Sequence, residues 1–537
     1  MNADLVITNG KIVTMDTRES FEEAVAIKFG RILAVGATSD IGALIGDETK
    51  VIDLEGRTVI PGLIDTHCHM ASTGAAKMIS VDLSEEMGVK SIVDIQQRLR
   101  EKAKSTPKGE WLVGVREDDS KLAEKRHPDR WALDEASSDH PIFVATVGMH
   151  FYMVNSMALE LAGVTKDTPD PVGGMFERDP ETGEMTGGLH EAALEVVLPG
   201  GLSAIQPSRE LGAKGAKQML EECAAAGLTC VYDSVDGSQV ALLIDLKNRG
   251  ELPIRMRMDV WMQHFPELES LGIYRGLGDD WLKISGLKAM FDGAISARTA
   301  AVSEPYLHRD DFYGVLATTR EKARKEILEA YAAGYRISAH ANGDRAIDMY
   351  LDIIEEAQEK YPREDPRNRD IHCTVVNPEI VARCKKLGVL PTIFGPYVYY
   401  HGDKILPAFG EERLEWMFAA RSFLDAGMKI AAHSDHSAGP MPPLMGIHAL
   451  VNRKSKAGKP VGMSQRISVT EALKLYTINA AYQSFDEDKL GSIEVGKLAD
   501  MVVLGEDILT VPAETIIDIP VDMTIVDGEV VYTREAN

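Results

Sequence analysis

Val59-Ile-Pro-Gly-Leu-Ile-Asp-Thr-His67-Cys68-His69 is the stretch that decides the fold. An apolar run enters it, and two histidines leave it. Residues i and i+2 of a strand face the same side, so His67 and His69 can reach one metal ion while Cys68 points away. The apolar run puts the pair at the carboxyl end of a buried strand, where a (β/α)8 barrel builds its active site. Further out, Gly227-Leu-Thr-Cys-Val-Tyr232, Leu282-Lys-Ile-Ser285, Leu287-Lys-Ala-Met-Phe291, Tyr335-Arg-Ile-Ser-Ala-His340, Ile371-His-Cys-Thr-Val-Val376, Gly388-Val-Leu-Pro-Thr-Ile393 and Met428-Lys-Ile-Ala-Ala-His433 read as more buried strands. Helical stretches at 209–226, 320–333 and 345–360 lie between them. An Ala-Ala-Gly or Asp-Ala-Gly triplet recurs before a strand, starting at Ala225, Ala332 and Asp425, and its glycine is expected to end a helix. Repeated βα units of this kind predict a parallel sheet, open or closed into a barrel.

The two ends read differently. Leu5-Val-Ile-Thr8, Ala24-Val-Ala-Ile27 and Ile32-Leu-Ala-Val35 at the front, and Met501-Val-Val-Leu504, Met523-Thr-Ile-Val526 and Val530-Val-Tyr532 at the back, are short β segments. Asn9-Gly10, Gly30 and Asp527-Gly528 supply turns between them. Because chain termini often lie close together, a single small β-sandwich domain built from residues 1–58 and 485–537 is preferred over two separate appendages. The barrel then spans 59–484. Residues 72–200 carry Pro, Gly and Asp clusters that break the βα rhythm. They read as an insertion after the first barrel strand and a candidate lid.

The chain has 58 Lys and Arg against 83 Asp and Glu, a formal net charge of −25. Nucleic-acid binding needs basic surface, so this balance argues against it. No apolar run approaches the length of a transmembrane helix, and Met1-Asn-Ala-Asp-Leu5 lacks the basic start of a secretory signal. The five cysteines are scattered, with no C-x-x-C pair. A reducing cytoplasm suits them better than a disulfide framework.

His340, His372 and Asp435 stand at the ends of other candidate strands. With His67 and His69 they form an imidazole-plus-carboxylate set suited to zinc or a similar divalent ion. The metal would lower the pKa of bound water, and Asp435 is the natural base to take the proton. Lys288 lies in the apolar Leu287-Lys-Ala-Met-Phe291 segment; taken alone, it reads as a snorkelling lysine or a partner of Asp292. For His433 a strand-end hydrogen bond is the expected role, and for Arg298 an ion pair with Asp292 is preferred over a substrate carboxylate. His127, His140, His264 and His308 read as surface residues.

The motif Val59 to His69 resembles the first-strand signature of the amidohydrolase superfamily, and Gly491-Ser-Ile-Glu-Val-Gly-Lys-Leu-Ala-Asp-Met-Val-Val-Leu504 resembles its closing β segment. Leu287-Lys-Ala-Met-Phe-Asp-Gly-Ala294, Arg298-Thr-Ala300, Ala339-His-Ala-Asn-Gly-Asp-Arg-Ala-Ile347 and His433-Ser-Asp-His436 resemble the amidohydrolase-3 (YtcJ-like) family, which includes N-substituted formamide deformylases. The resemblance implies an α/β fold with a TIM-like barrel and a metal-dependent hydrolase of a carbon–nitrogen bond in an amide, N-formyl group or cyclic amide. It makes His67, His69, Lys288, His340, His372 and Asp435 metal ligands, with zinc the leading candidate and one or two ions. Lys288 would stand where related hydrolases carry an N-carboxylated, bridging lysine. Asp435 would also carry the catalytic proton, and His150, Phe151 and Tyr397 would line the substrate site. The implied partner is a small molecule, with a homodimer open, and neither a nucleic acid nor a membrane is expected. An esterase, lactonase or carbamate hydrolase at the same site is the alternative chemistry, and a catalytically silent scaffold or regulatory protein the alternative class. Three departures from the family pattern bear on substrate choice: Ile371 stands where a Glu is usual, Tyr397, Tyr399, Tyr400 and His401 follow the seventh strand where a Gln-Pro pair is common, and Ser437 stands two after Asp435 where a Pro is usual.

Overall fold

Eight strands run parallel in the order of the chain: β1 (Leu63–Cys68), β2 (Leu228–Val235), β3 (Arg255–Trp261), β4 (Leu282–Met290), β5 (Ile337–Ala341), β6 (Arg369–His372), β7 (Leu390–Phe394) and β8 (Ala431–His433). Their residues are almost all buried, as expected for parallel strands covered by helices on one side and a filled interior on the other. The two ends of the sheet meet. Thr66 Oγ1 donates to the Ala432 carbonyl (2.9 Å), and Asp435 N donates to the His67 carbonyl (3.0 Å). The fold is therefore a (β/α)8 TIM-like barrel, seen here in a computed structural model that describes residues 2–535 apart from 148–150, 172–173, 200–204, 206 and 309–310.

Helices Arg209–Ala225, Arg320–Ala332 and Asp344–Lys360 fill the stretches whose periodicity predicts them. The glycines that close the recurring triplets, Gly227, Gly334 and Gly427, all have positive φ (86°, 98° and 77°), so only glycine turns the chain there without strain. Helix Ile478–Tyr482 braces the barrel: Asn479 Nδ2 donates to the Ile430 carbonyl just before β8 (3.0 Å).

Strands from the two ends of the chain pair with one another. Thr58–Pro61 lies antiparallel to Met501–Leu504 within a six-stranded sheet that also holds Lys11–Val13, Val521–Val526 and Glu529–Thr533. A four-stranded sheet of Leu5–Thr8, Ala24–Lys28, Arg31–Gly36 and Lys50–Asp53 accompanies it. Ile7, Val25, Ile27, Val59, Met501, Val503 and Ile525 form their common core.

Residues Thr73–Gly215 make a second compact unit, distinct from Met1–Ser72 with Ala216–Asn537. Its six-stranded mixed sheet runs Gly174–Arg178, Met185–Glu191, Phe151–Val154, Ile142–Thr146, Leu112–Glu117, Ser80–Asp82. Within it His140 is buried rather than on the surface, because its ring is held by Ser137 Oγ (2.8 Å) and the Thr106 carbonyl (3.2 Å). Among the described residues no helix is long and apolar enough to cross a membrane. All five cysteines are buried and free.

Candidate metal centre

The site grows from the seam where β8 meets β1. Asp65 takes the His67 N–H (3.1 Å) and the Ser434 N–H (3.1 Å) on one oxygen, tying both sides of the seam together. His69 N donates to the His436 carbonyl (2.8 Å). This backbone lacing delivers three side chains to one point: Asp435 Oδ1 lies 3.1 Å from His67 Nε2 and 3.5 Å from His69 Nε2. His67 is oriented from behind by Ser234 Oγ of β2, 3.3 Å from its Nδ1. Lys288 Nζ, buried on β4, stands 3.4 Å from His67 Nε2.

The other half of the cluster comes from β5 and β6. His372 Nε2 and His340 Nδ1 are 2.9 Å apart. The far nitrogen of His340, Nε2, lies 3.2 Å from the Gly293 carbonyl and 3.1 Å from Asn342 Nδ2. Thr374 fixes Asn342 in turn, donating to its Oδ1 (2.8 Å). His372 and Asp435 both take positive φ (80° and 49°), an uncommon conformation for residues with a Cβ, of the kind that gathers at functional sites.

Electrostatics keep the His67, His340 and His372 imidazoles neutral. Burial, helped by Lys288, pushes His67 well below its ordinary pKa and His340 down to about 4. Burial and the neighbouring His340 do the same to His372. For Asp435 burial acts upward, but the contacts from His67 and His69 prevail and hold the carboxyl well below its usual range. Burial brings Lys288 down to about 7. Neutral nitrogens beside an ionised carboxylate are the protonation states a divalent ion requires.

One donor atom each from His67, His372 and Asp435 lie within 4.8 Å of one another. Buried nitrogens without a hydrogen-bond partner surround them: His372 Nδ1 and both ring nitrogens of His433. Such orphans are costly unless something occupies them. The donor set therefore fits a borderline Lewis acid. The expected strand-end hydrogen bond of His433 is not made. The ring is buried between His372 (4.9 Å between centroids), Phe394 (5.0 Å) and His67 (5.4 Å), and among the described residues no hydrogen-bond partner reaches its nitrogens.

A family model described as the amidohydrolase family matches residues 50–532. The chain belongs to that family. This amidohydrolase is 31% identical over 519 residues to Protein LONG AFTER FAR-RED 3 of Arabidopsis thaliana, covering 94% of this chain and 87% of that protein. It is 28% identical over 541 residues to an N-substituted formamide deformylase of Arthrobacter pascens, covering 99% and 98%. Among solved structures it resembles an uncharacterized metal-dependent hydrolase from Pyrococcus horikoshii, with a TM-score of 0.81, 26% identity, and coverage of 95% of this chain and 99% of that one.

The remaining predicted site residues of the amidohydrolase fall in different places. Tyr397 opens helix Tyr397–Leu414 directly after β7, its ring against Phe394 (4.6 Å), His401 (4.7 Å) and Phe418 (4.9 Å). Phe151 belongs to the second unit, with its ring between His127 (4.7 Å) and His190 (4.5 Å). His150 lies outside the described residues. The sequence reading gave no role to Asp65, Ser234, Asn342 or Thr374. Asp65 and Asn342 stood inside recognised motifs; Ser234 could have been found, with Asp233, as a polar pair near the end of a buried strand.

Proposed function

We propose that this amidohydrolase cleaves a carbon–nitrogen bond of an amide, N-formyl or cyclic amide compound. The carrying observation is the convergence of His67 and His69 on the ionised Asp435 carboxylate, beside neutral His340 and His372. The near full-length likeness to a formamide deformylase supports this choice of bond. His67, His69, His340, His372 and Asp435 would hold one or two divalent ions, zinc first. Bound there, such an ion makes water more acidic and polarises the scissile carbonyl. Asp435 does the proton work: its carboxylate accepts a proton from the attacking water and returns it to the leaving nitrogen as the C–N bond breaks and the C–O bond forms. Ser234 and the Gly293 carbonyl would hold the His67 and His340 rings in place for an ion. Tyr397, which opens the helix after β7, contacts the substrate.

Lys288 is assigned as the remaining ligand, N-carboxylated by carbon dioxide. Its support is position: a buried amine 3.4 Å from His67 Nε2, with no carboxylate in salt-bridge contact among the described residues. Lys288→Ala is expected to lower bound metal per chain, with partial recovery of metal and turnover when acetate is added. Metal content equal to wild type without acetate would remove Lys288 from the ligand set.

The general test is a zinc-loaded preparation assayed on N-formyl amines, N-acyl amines and matched esters. Release of amine at rates well above those of metal-stripped protein is the expected result. Turnover confined to esters would move the assignment to an esterase. No turnover together with no bound metal would leave a silent scaffold.

A further inference from the structure

Arg298 lies in the loop that joins β4 to helix Arg320–Ala332, on the side of the barrel where the metal-centre strands end. We propose that it binds a carboxylate on the substrate, which makes the preferred substrates N-acyl or N-formyl compounds that carry an acid group. The proposal rests on the hydrolase reading above and adds the substrate class.

The first observation is that Arg298 is half-buried yet makes no hydrogen bond or ion pair through its guanidinium among the described residues. A guanidinium has five donors and keeps its charge, so withdrawing it from water without a partner is unfavourable. The second is that the acids of its own loop and of the adjoining start of helix Asp344–Lys360 are committed elsewhere. Asp292, the partner expected from the sequence, is buried and accepts three backbone N–H groups: Ala301 (2.9 Å), Asn342 (2.9 Å) and Gly343 (2.8 Å). Asp344 accepts the Ser303 N–H (2.8 Å) and hydroxyl, and Glu304 faces Arg413 (3.6 Å). The structure thus replaces the expected Arg298–Asp292 pair with a backbone clamp, because the carboxylate serves two loops at once.

The third observation is where that clamp holds the loop. The Gly293 carbonyl lies 3.2 Å from His340 Nε2 and accepts from Asn342 Nδ2 (3.0 Å). Ala294 N donates to Thr299 Oγ1 (3.0 Å), and Thr299 N returns to the Ala294 carbonyl (2.9 Å). Arg298 is therefore one residue from a turn pinned to the strand end that carries His340. Its own φ is +57°, held by its N–H to the Ile295 carbonyl (3.0 Å). A single planar fork balances one negative charge and matches the two oxygens of a carboxylate, whereas a doubly charged phosphate beside Asp292 and Asp344 would need more cations than this loop supplies.

Two probes of one skeleton test this on zinc-loaded protein: N-formyl-phenylalanine and N-formyl-2-phenylethylamine, which lacks only the carboxylate. Wild type is expected to favour the acid in kcat/KM by roughly 10- to 100-fold, the scale of a hydrogen-bonded charge pair. Arg298→Gln should collapse that ratio toward one, and Arg298→Lys should retain part of it and stands in if the Gln variant does not fold. A ratio unchanged by substitution, or no preference in wild type, overturns the proposal. If neither probe is cleaved, the hydrolase reading fails for formamides, and calorimetric binding of N-formyl-phenylalanine decides the Arg298 question separately. Binding at least tenfold weaker in Arg298→Gln upholds it. Equal affinity, or no binding to either protein, overturns it.

Discussion

Replacing Asp435 with Asn is expected to cut turnover by at least about 10³-fold while leaving the fold intact, within the range that one positioned acid–base group contributes. The amide keeps the shape of the carboxylate but can no longer take a proton from water. The fold should survive because the segment is held by its backbone. Asp435 N donates to the His67 carbonyl (3.0 Å), and Ser434 N is held by Asp65 (3.1 Å), contacts that the substitution does not touch. Asp435→Asn also removes the charge that faces His67 at 3.1 Å and His69 at 3.5 Å, so bound metal should fall as well. Metal analysis beside steady-state kinetics, repeated at saturating zinc, separates the two effects. A variant refilled with zinc and still inactive has lost the proton carrier. Near wild-type turnover would remove Asp435 from the chemistry.

The site was legible in the sequence to the extent that its residues obey local rules. His67 and His69 follow from two-residue alternation at the end of an apolar run, and His340, His372 and Asp435 follow from similar strand ends. The helices were legible for the same reason, since an amphipathic period and a terminal glycine are local signals. The burial of Lys288 beside His67 left no local trace, because a lysine inside an apolar segment has an ordinary reading as a snorkelling surface residue. Arg298 and His433 were misread because their partners depend on distant backbone. Asp292 is claimed by the N–H groups of Ala301, Asn342 and Gly343, and the pocket around His433 is walled by rings from β1, β6 and β7. Neither fact has any trace within a few residues of the position concerned. The same holds for the interior of the barrel, where Asp259, Arg336 and Arg369 come together from three different strands or strand starts.

Those three residues carry the largest stability effect expected here. Asp259, Arg336 and Arg369 are all about 1% exposed or less. Asp259 Oδ2 accepts a hydrogen bond from Arg369 Nη2, and its Oδ1 lies 3.5 Å from Arg336 Nη2. Arg369 spans the barrel, donating to Ser338 Oγ on β5 (3.1 Å) and to the Thr66 carbonyl on β1 (2.8 Å), one residue before His67. Burial, together with the neighbouring Arg369, already pushes the Arg336 guanidinium down to about 10. Asp259→Ala would strand two buried cations against each other. Breaking a buried pair from one side typically costs about 3–5 kcal/mol, because the remaining charge has neither water nor a partner. For a chain of this size the melting temperature should fall by roughly 3–4 °C. The triple change Asp259→Leu with Arg336→Met and Arg369→Met removes all three charges, and should be less destabilising than Asp259→Ala alone despite altering more atoms. The Asp259→Ala variant should also bind zinc more weakly, since the Arg369 guanidinium that braces the Thr66 carbonyl loses its anchor and His67 follows directly in the chain. Calorimetric melting of the metal-free proteins and zinc titration of each measure the two consequences independently. A melting temperature within a degree of wild type for Asp259→Ala would show that water reaches this layer and that it is not the dry ionic floor on which the metal centre stands.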